Sequence, residues 1–193
     1  MVVRNLNLYM IKTDLSKYDN SWYNTGGNVL KRLLWYFCNI LFIKNEWNPS
    51  SVIKVYVLRV FGAKIGRGVV IKPCVNIKYP WNLEIGDNTW IGEDVWIDNL
   101  VPVRIGSNVC ISQGGLLLCG NHNYKKSAFD LMVGEIILED GVWIGAKSTV
   151  GPGVTCHSHS VLSVGSVATS DMEAYSIHQG NPAIKVRDRV IED

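Results

Sequence analysis

Aliphatic residues recur at every sixth position along most of this chain. That period belongs neither to a helix nor to a simple alternating strand. Ile65, Ile71 and Ile77 open the series, followed by Ile85, Ile91 and Ile97, then Ile105, Ile111 and Leu117. After a gap it resumes at Leu138, Ile144, Val150, Cys156, Leu162 and Ala168. Glycine often comes next, as in Ile65-Gly66, Ile91-Gly92 and Ile144-Gly145, and a small or β-branched residue often stands four places on, as at Thr89, Val109 and Ser148. A short strand and a tight turn satisfy this pattern, with the aliphatic side chain pointing inward and glycine relieving the corner. Three such units close a triangular coil of about 18 residues, and coils stack at the ~4.8 Å strand spacing. One coil cannot bury its own apolar edge, so the core comes from stacking. The prediction is a mainly β protein, a parallel β-helix of about five coils with a helical segment before it.

The spacing also locates a site. Ile65, Ile85 and Ile105 stand 20 residues apart, so the first coils carry extra residues after their third unit, near Tyr79 to Glu84 and Leu100 to Arg104. In the third coil the same corner releases an excursion, 119–137. The 20-residue offset puts Asp98 one coil below Leu118, at the base of that loop. Long loops in a regular solenoid usually serve function.

Three segments follow: a helical cap over 1–62, the solenoid over 63–175 and a basic tail over 176–193. Residues 28–45 read as one helix. A second is expected from Asn48-Pro49-Ser50, with Asn48 as its cap, to a stop at Gly62. These helices would cover the open strand edge of the first coil. The apolar run Val29 to Ile43 contains Lys31, Arg32 and Asn39 and is shorter than the ~20 residues a spanning helix needs. It is expected to pack on the rest of the protein, with peripheral membrane contact as the alternative. Residues Met1 to Met10 are too polar for a signal peptide.

Composition narrows the partners. Nineteen basic and 17 acidic residues leave a net charge of +2, spread too evenly for nucleic-acid binding. The five cysteines form no CxxC pair, as suits reduced thiols in a cytoplasmic protein. Of four histidines, His122 sits in the excursion, where an imidazole can take a proton from a hydroxyl. His157 and His159 fall in a regular corner and read as solvated turn residues, while His178 lies in the tail, where a structural role is expected. Trp90, Trp96 and Trp143 each precede an inward aliphatic residue and so face outward, towards a subunit interface or a ligand groove. Asp98-Asn99 is either a turn-forming pair or a contact to an acceptor hydroxyl. Lys185, Arg187 and Arg189 could meet phosphates.

The coils, with Val142-Trp-Ile-Gly-Ala-Lys-Ser-Thr-Val-Gly-Pro-Gly-Val-Thr155, resemble the hexapeptide-repeat acyltransferases of the left-handed β-helix superfamily. Trp96-Ile-Asp-Asn-Leu100, Cys110-Ile-Ser-Gln-Gly114, His122-Asn-Tyr124 and Gly180-Asn-Pro-Ala183 are similar to the colanic-acid and exopolysaccharide O-acetyltransferase branch, related to galactoside and maltose acetyltransferases. The resemblance implies left-handed coils, a homotrimer with sites between neighbours, and acetyl-CoA as co-substrate with no metal. It implies His122 as the base that frees a sugar hydroxyl to attack the thioester directly. Trp143, Gly145, Ala146, Val164 and Gly165 match the cofactor wall, with Lys185 a candidate for the phosphates. Asp98 matches an acceptor-contacting position, and Asn99 and Tyr124 are its candidate companions. The chain departs from the pattern at Ser170, where a lysine is common, at Asn123, where the branch has Asp, and at the corner His157-Ser-His159.

Three other readings stay open. N-acetylation of an amino sugar would use the same machinery. A scaffold without catalysis would keep the coils alone. A zinc enzyme of the γ-carbonic-anhydrase type needs a third ligand beside paired histidines, and His122 has no histidine five residues away.

Overall fold

The computed structural model describes residues 11–192, so the expectation about Met1 to Met10 lies outside the described residues. The chain winds as a three-walled parallel solenoid. The first wall stacks Lys64–Ile65, Leu83–Ile85, Val103–Ile105, Ile136–Leu138 and Thr155–Cys156. The second stacks Val70–Ile71, Trp90–Ile91, Cys110–Ile111, Trp143–Ile144 and Val161–Leu162, and the third Asn76–Ile77, Trp96–Asp98, Leu116–Leu118, Thr149–Val150 and Val167–Ala168. Residues pair in the register set by the repeat, for example Ile65 with Ile85 and Ile85 with Ile105. The aliphatic series forms one continuous core, with Ile71, Ile97, Ile111, Leu117, Ile144 and Leu162 among its fully buried members.

The solenoid runs beyond five coils. Ser176–Gly180 adds a sixth rung to the second wall, and Ala183–Asp188 folds back antiparallel on it. What the sequence suggested as a basic tail is therefore largely a hairpin sealing the C-terminal end.

The corners need glycine for a different reason from the one expected. The left-handed backbone position falls three residues after the inward aliphatic residue. Gly68, Asn88, Asp94, Asn108, Gly114, Lys147, His159 and Gly165 occupy it, with φ between 55° and 67°. The glycine directly after the aliphatic residue is required by stacking. A Cβ on Gly86 would lie 2.6 Å from Ser107 N, and one on Gly145 2.6 Å from Val164 N. His159 fits a position that favours Gly, Asn, Asp and His.

At the N-terminal end, α1 (Val29–Cys38) starts from an Asn28 cap and continues as one π-type turn over Asn39–Ile43, rather than as a uniform helix to residue 45. The second helix, α2 (Ser51–Val60), is capped by Ser50 and not by Asn48. Asn48 instead accepts the Ser50 amide at 3.1 Å, shaping the turn ahead of the helix. Both helices address one problem. Ile65, Ile71 and Ile77 belong to the first rung, and the side of each strand away from the next coil has no rung to pair with. Arg59 donates to the Ile65 carbonyl at 2.6 Å, and the indole of Trp35 donates to Ile77 at 3.0 Å. Ser51 Oγ accepts the Ile71 amide at 3.0 Å, while the buried Lys54 ammonium donates to Ile71 at 3.3 Å and to Lys72 at 2.7 Å. Burial holds the Lys54 pKa below the usual lysine value, opposed in part by Cys74.

Among the described residues no helix is long and apolar enough to cross a membrane. Lys54→Met keeps much of the side-chain bulk but leaves the Lys72 carbonyl without its donor, while Ile71 keeps a 3.3 Å bond from Ser51 Oγ. It should cost about 1–3 kcal/mol in denaturant unfolding. An unchanged midpoint would mean that these bonds do not secure the end of the solenoid.

Candidate active site

The excursion leaves the third corner of the third coil as a hairpin. Gly120–His122 pairs antiparallel with Leu131–Val133, placing His122 opposite Leu131, and the base is closed by a 2.9 Å bond from Gly134 N to the Cys119 carbonyl. The fully buried Cys119 and Ile136 anchor the two ends in the core. The imidazole of His122 stacks on Phe129, with centroids 4.4 Å apart and planes 8° apart. His122 Nδ1 lies 2.9 Å from the Phe129 carbonyl oxygen. A carbonyl can only accept, so Nδ1 carries the proton and donates it. In the neutral ring Nε2 then keeps its lone pair, as a general base requires.

His122 lines a cavity of about 650 Å³ with Asp98, Lys78, Tyr18, Tyr23 and Arg32. The offset reasoning is realised in the pairing of Asp98 with Leu118 one coil on. Asp98 is 7% exposed, and Lys78 Nζ lies 2.9 Å from its Oδ1. The ammonium neutralises the carboxylate, and the buried Oδ1 has no hydrogen-bond partner among the described residues. Tyr23 donates to the Leu100 carbonyl at 2.6 Å, and burial, reinforced by Tyr79 and Asp98, drives its pKa well above the usual phenol range. Tyr23 is therefore a hydrogen-bond donor near neutral pH. Cys119 lies at the base of the excursion, but burial pushes its pKa up to about 12. It is a thiol, not a thiolate nucleophile.

Asn99 and Tyr124 stand apart from this cavity. Asn99 is fully buried and clamps the coil below, accepting the Tyr79 amide at 3.0 Å and donating to the Tyr79 carbonyl at 2.6 Å. Tyr124 is 76% exposed in the excursion. Asn123, at the position where the resemblance expected Asp, accepts the Lys125 amide at 3.1 Å and serves the turn.

A second groove, of about 670 Å³, runs along the second wall and the corner after it. Trp143, Gly145, Ala146 and Val164 line it, together with Arg187 and Arg189. Trp90, Cys110 and Trp143 align up this wall, and Trp143 donates to Ser112 Oγ at 3.0 Å. Gly165 is the left-handed residue of the adjoining corner, with φ 67°. Lys185 does not line the groove, because Glu173 at 2.8 Å and Asp188 at 2.9 Å both engage it. Arg189 is committed to the carbonyls of Gly141 and His159. Arg187 is exposed and makes no ion pair among the described residues, which leaves it as the groove's available cation.

The other histidines hold structure. His157 meets Glu139 at 3.0 Å, His159 packs on Tyr175 with centroids 4.8 Å apart, and buried His178 bonds Ser176 Oγ at 2.9 Å. Among the described residues no cluster of three His, Cys, Asp or Glu side chains could hold a metal ion.

No protein-family model matches the chain. Among known proteins, WcaF of Escherichia coli K12, named for an acetyltransferase role in colanic acid biosynthesis, is 35% identical over 167 residues, covering 86% of this chain and 91% of WcaF. The chain belongs to the hexapeptide-repeat acetyltransferases. The galactoside O-acetyltransferase of Escherichia coli K12 is 28% identical to this acetyltransferase over 153 residues, covering 75% and 73% of the two chains. A hexapeptide-repeat acetyltransferase of Vibrio cholerae, solved with acetyl-coenzyme A, shares the fold with a TM-score of 0.75 at 22% identity over 84% of this chain and 88% of its own. A galactoside acetyltransferase solved with coenzyme A gives a TM-score of 0.73 at 26% identity, covering 82% and 80%.

Several residues around the acetyltransferase's cavity escaped the reading of the repeat. Lys78 was within reach of it, since it precedes Asp98 by the same 20 residues. Tyr18, Tyr23 and Phe129 carry no periodic signal, because the N-terminal segment and the hairpin lie outside the coils. Burial also pushes the Cys156 pKa up to about 12. Native protein treated with iodoacetamide near neutral pH should therefore keep Cys119 and Cys156 unmodified, as read by peptide mass spectrometry. Rapid labelling of Cys119 would contradict its burial and point to an activated thiol beside the cavity.

Proposed function

We propose that this acetyltransferase moves the acetyl group of acetyl-CoA directly to a sugar hydroxyl, in polysaccharide biosynthesis, with His122 as general base. The observation that carries this reading is the Nδ1 bond to the Phe129 carbonyl, which leaves Nε2 as the acceptor. The acceptor's hydroxyl proton passes to Nε2 as its oxygen attacks the thioester carbon. Collapse of the tetrahedral adduct breaks the carbon–sulfur bond, and the imidazolium returns the proton to the departing thiolate. No enzyme nucleophile is required. Asp98, which lines the same cavity as His122, is suited to hold a second hydroxyl of the acceptor.

The groove suits the other substrate. Trp143, Ala146 and Val164 offer an apolar face to a slender pantetheine arm, and Arg187 supplies positive charge for phosphate. Within one chain His122 and this groove line different cavities, on the third corner and the second wall. We therefore place the working site between copies of a homotrimer, the excursion of one reaching the groove of the next.

His122→Ala should lower kcat by ~10²–10⁴-fold with the thermal melt unchanged. Wild-type turnover by that variant on an established sugar acceptor would remove His122 as the base. Arg187→Ala should raise KM for acetyl-CoA by roughly tenfold and leave kcat nearly constant, the loss expected for one charge-assisted contact. An unaltered KM would move the phosphate contact elsewhere.

A further inference from the structure

The two helices of the N-terminal cap are built inside out for a surface bathed in water. The inner face of α1 is Trp35, continued by Asn39 and Ile43. The face turned away from the solenoid carries Leu30, Leu33, Phe37 and Leu41, each between 52% and 64% exposed. In α2, Lys54 and Leu58 are fully buried, while Val52, Tyr56 and Val60 form an outward ridge, each 64% exposed or more. Surface helices ordinarily reverse this arrangement and keep a polar outer face. Trp47, between the helices, is 85% exposed. Together these side chains leave on the order of several hundred Å² of apolar surface, a size that marks an interaction site. The expectation that this run packs on the protein holds only for its inner edge.

Charge tells what covers it. Between Asp19 and Glu84 the chain carries nine lysines and arginines and one acid, Glu46, whereas the remainder has 10 basic and 16 acidic residues. The near-neutral total conceals this division. Some of the nine are committed: Lys54, Arg59 and Trp81-bound Lys31 hold the cap, while Lys64 and Lys78 are ion-paired. Arg32, Lys44, Arg67 and Lys72 are exposed and make no ion pair among the described residues. A two-fold contact through this face would bring like charges together, since it places the same patch on both sides. An anionic lipid surface satisfies both features, taking up Leu, Phe and Trp side chains at the headgroup boundary and pairing with the cations.

We propose that the α1–α2 cap docks this protein onto anionic phospholipid bilayers as a peripheral, non-spanning contact. Arg32 of α1 also lines the His122 cavity, so a docked cap holds that cavity beside the lipid surface.

Sedimentation of the full chain with phosphatidylcholine vesicles containing about 30% phosphatidylglycerol, against phosphatidylcholine alone, tests this. Binding should require the anionic lipid and weaken in high salt, as surface charge is screened. The double variant Leu33→Glu/Phe37→Glu should lose binding by more than tenfold while its melt and its acetyl transfer to a soluble acceptor stay unchanged. Lys44→Gln/Lys72→Gln should weaken it by roughly 25-fold, from about fivefold per charge. Failure of the wild-type chain to sediment with anionic vesicles would overturn the proposal, as would equal binding by the variants. A change in solution mass of Leu33→Glu/Phe37→Glu, with no vesicle binding by the wild type, would likewise overturn it and assign the face to a contact between copies. None of these results bears on His122, whose role is read from turnover in solution.

Discussion

A strand in a stacked coil has polar backbone on both sides, and each rung needs a neighbour above and below. That pairing requirement organises the molecule. In the middle it is met by identical geometry from coil to coil, which is why a six-residue period can be so strict and why glycine recurs where successive corners press together. At the ends it has to be met by something else. Ile65, Ile71 and Ile77 find their partners in the side chains of Arg59, Ser51, Lys54 and Trp35, and the opposite end is finished by a sixth rung and its antiparallel return. Burying an ammonium is costly, but here two backbone carbonyls, of Ile71 and Lys72, compensate it.

The site depends on that rigidity. Two buried residues, Cys119 and Ile136, fix where the excursion leaves and re-enters, and a single carbonyl in the hairpin sets the tautomer of its imidazole. Neither demands a special local sequence around His122, and turn residues such as Asn123 can serve the backbone without disturbing the imidazole. The wall with Trp143 and the corner with Gly145 belong to the regular coils. In the proposed mechanism one substrate would meet the regular part of the solenoid, and the other its insertion.

Much of this was legible in the sequence because the repeat converts distance along the chain into position in space. The three walls, the inward residues and the alignment of Trp90, Cys110 and Trp143 all follow from counting. The same arithmetic placed Asp98 beneath the excursion. It fails where the chain leaves the period. Lys185 and Arg187 look equivalent in the sequence, but two carboxylates hold Lys185 while Arg187 reaches the groove. Asn99 has the character of a ligand-binding amide, yet it spends both its donor and its acceptor on Tyr79. Ser50 outcompetes Asn48 as a helix cap because Asn48 is engaged in the preceding turn. Such choices are made by tertiary partners.

The central claim is that the base and the acetyl-CoA groove of one working site come from different copies of the chain. Co-expression of His122→Ala with Val164→Trp, which fills the groove at an exposed position, tests it most directly. Each variant alone should be inactive. Random mixing in a cyclic trimer gives about a quarter of the sites an intact base from one copy and an intact groove from its neighbour, so about a quarter of wild-type activity should return. Mixed oligomers that stay as inactive as the separate variants would contradict the account.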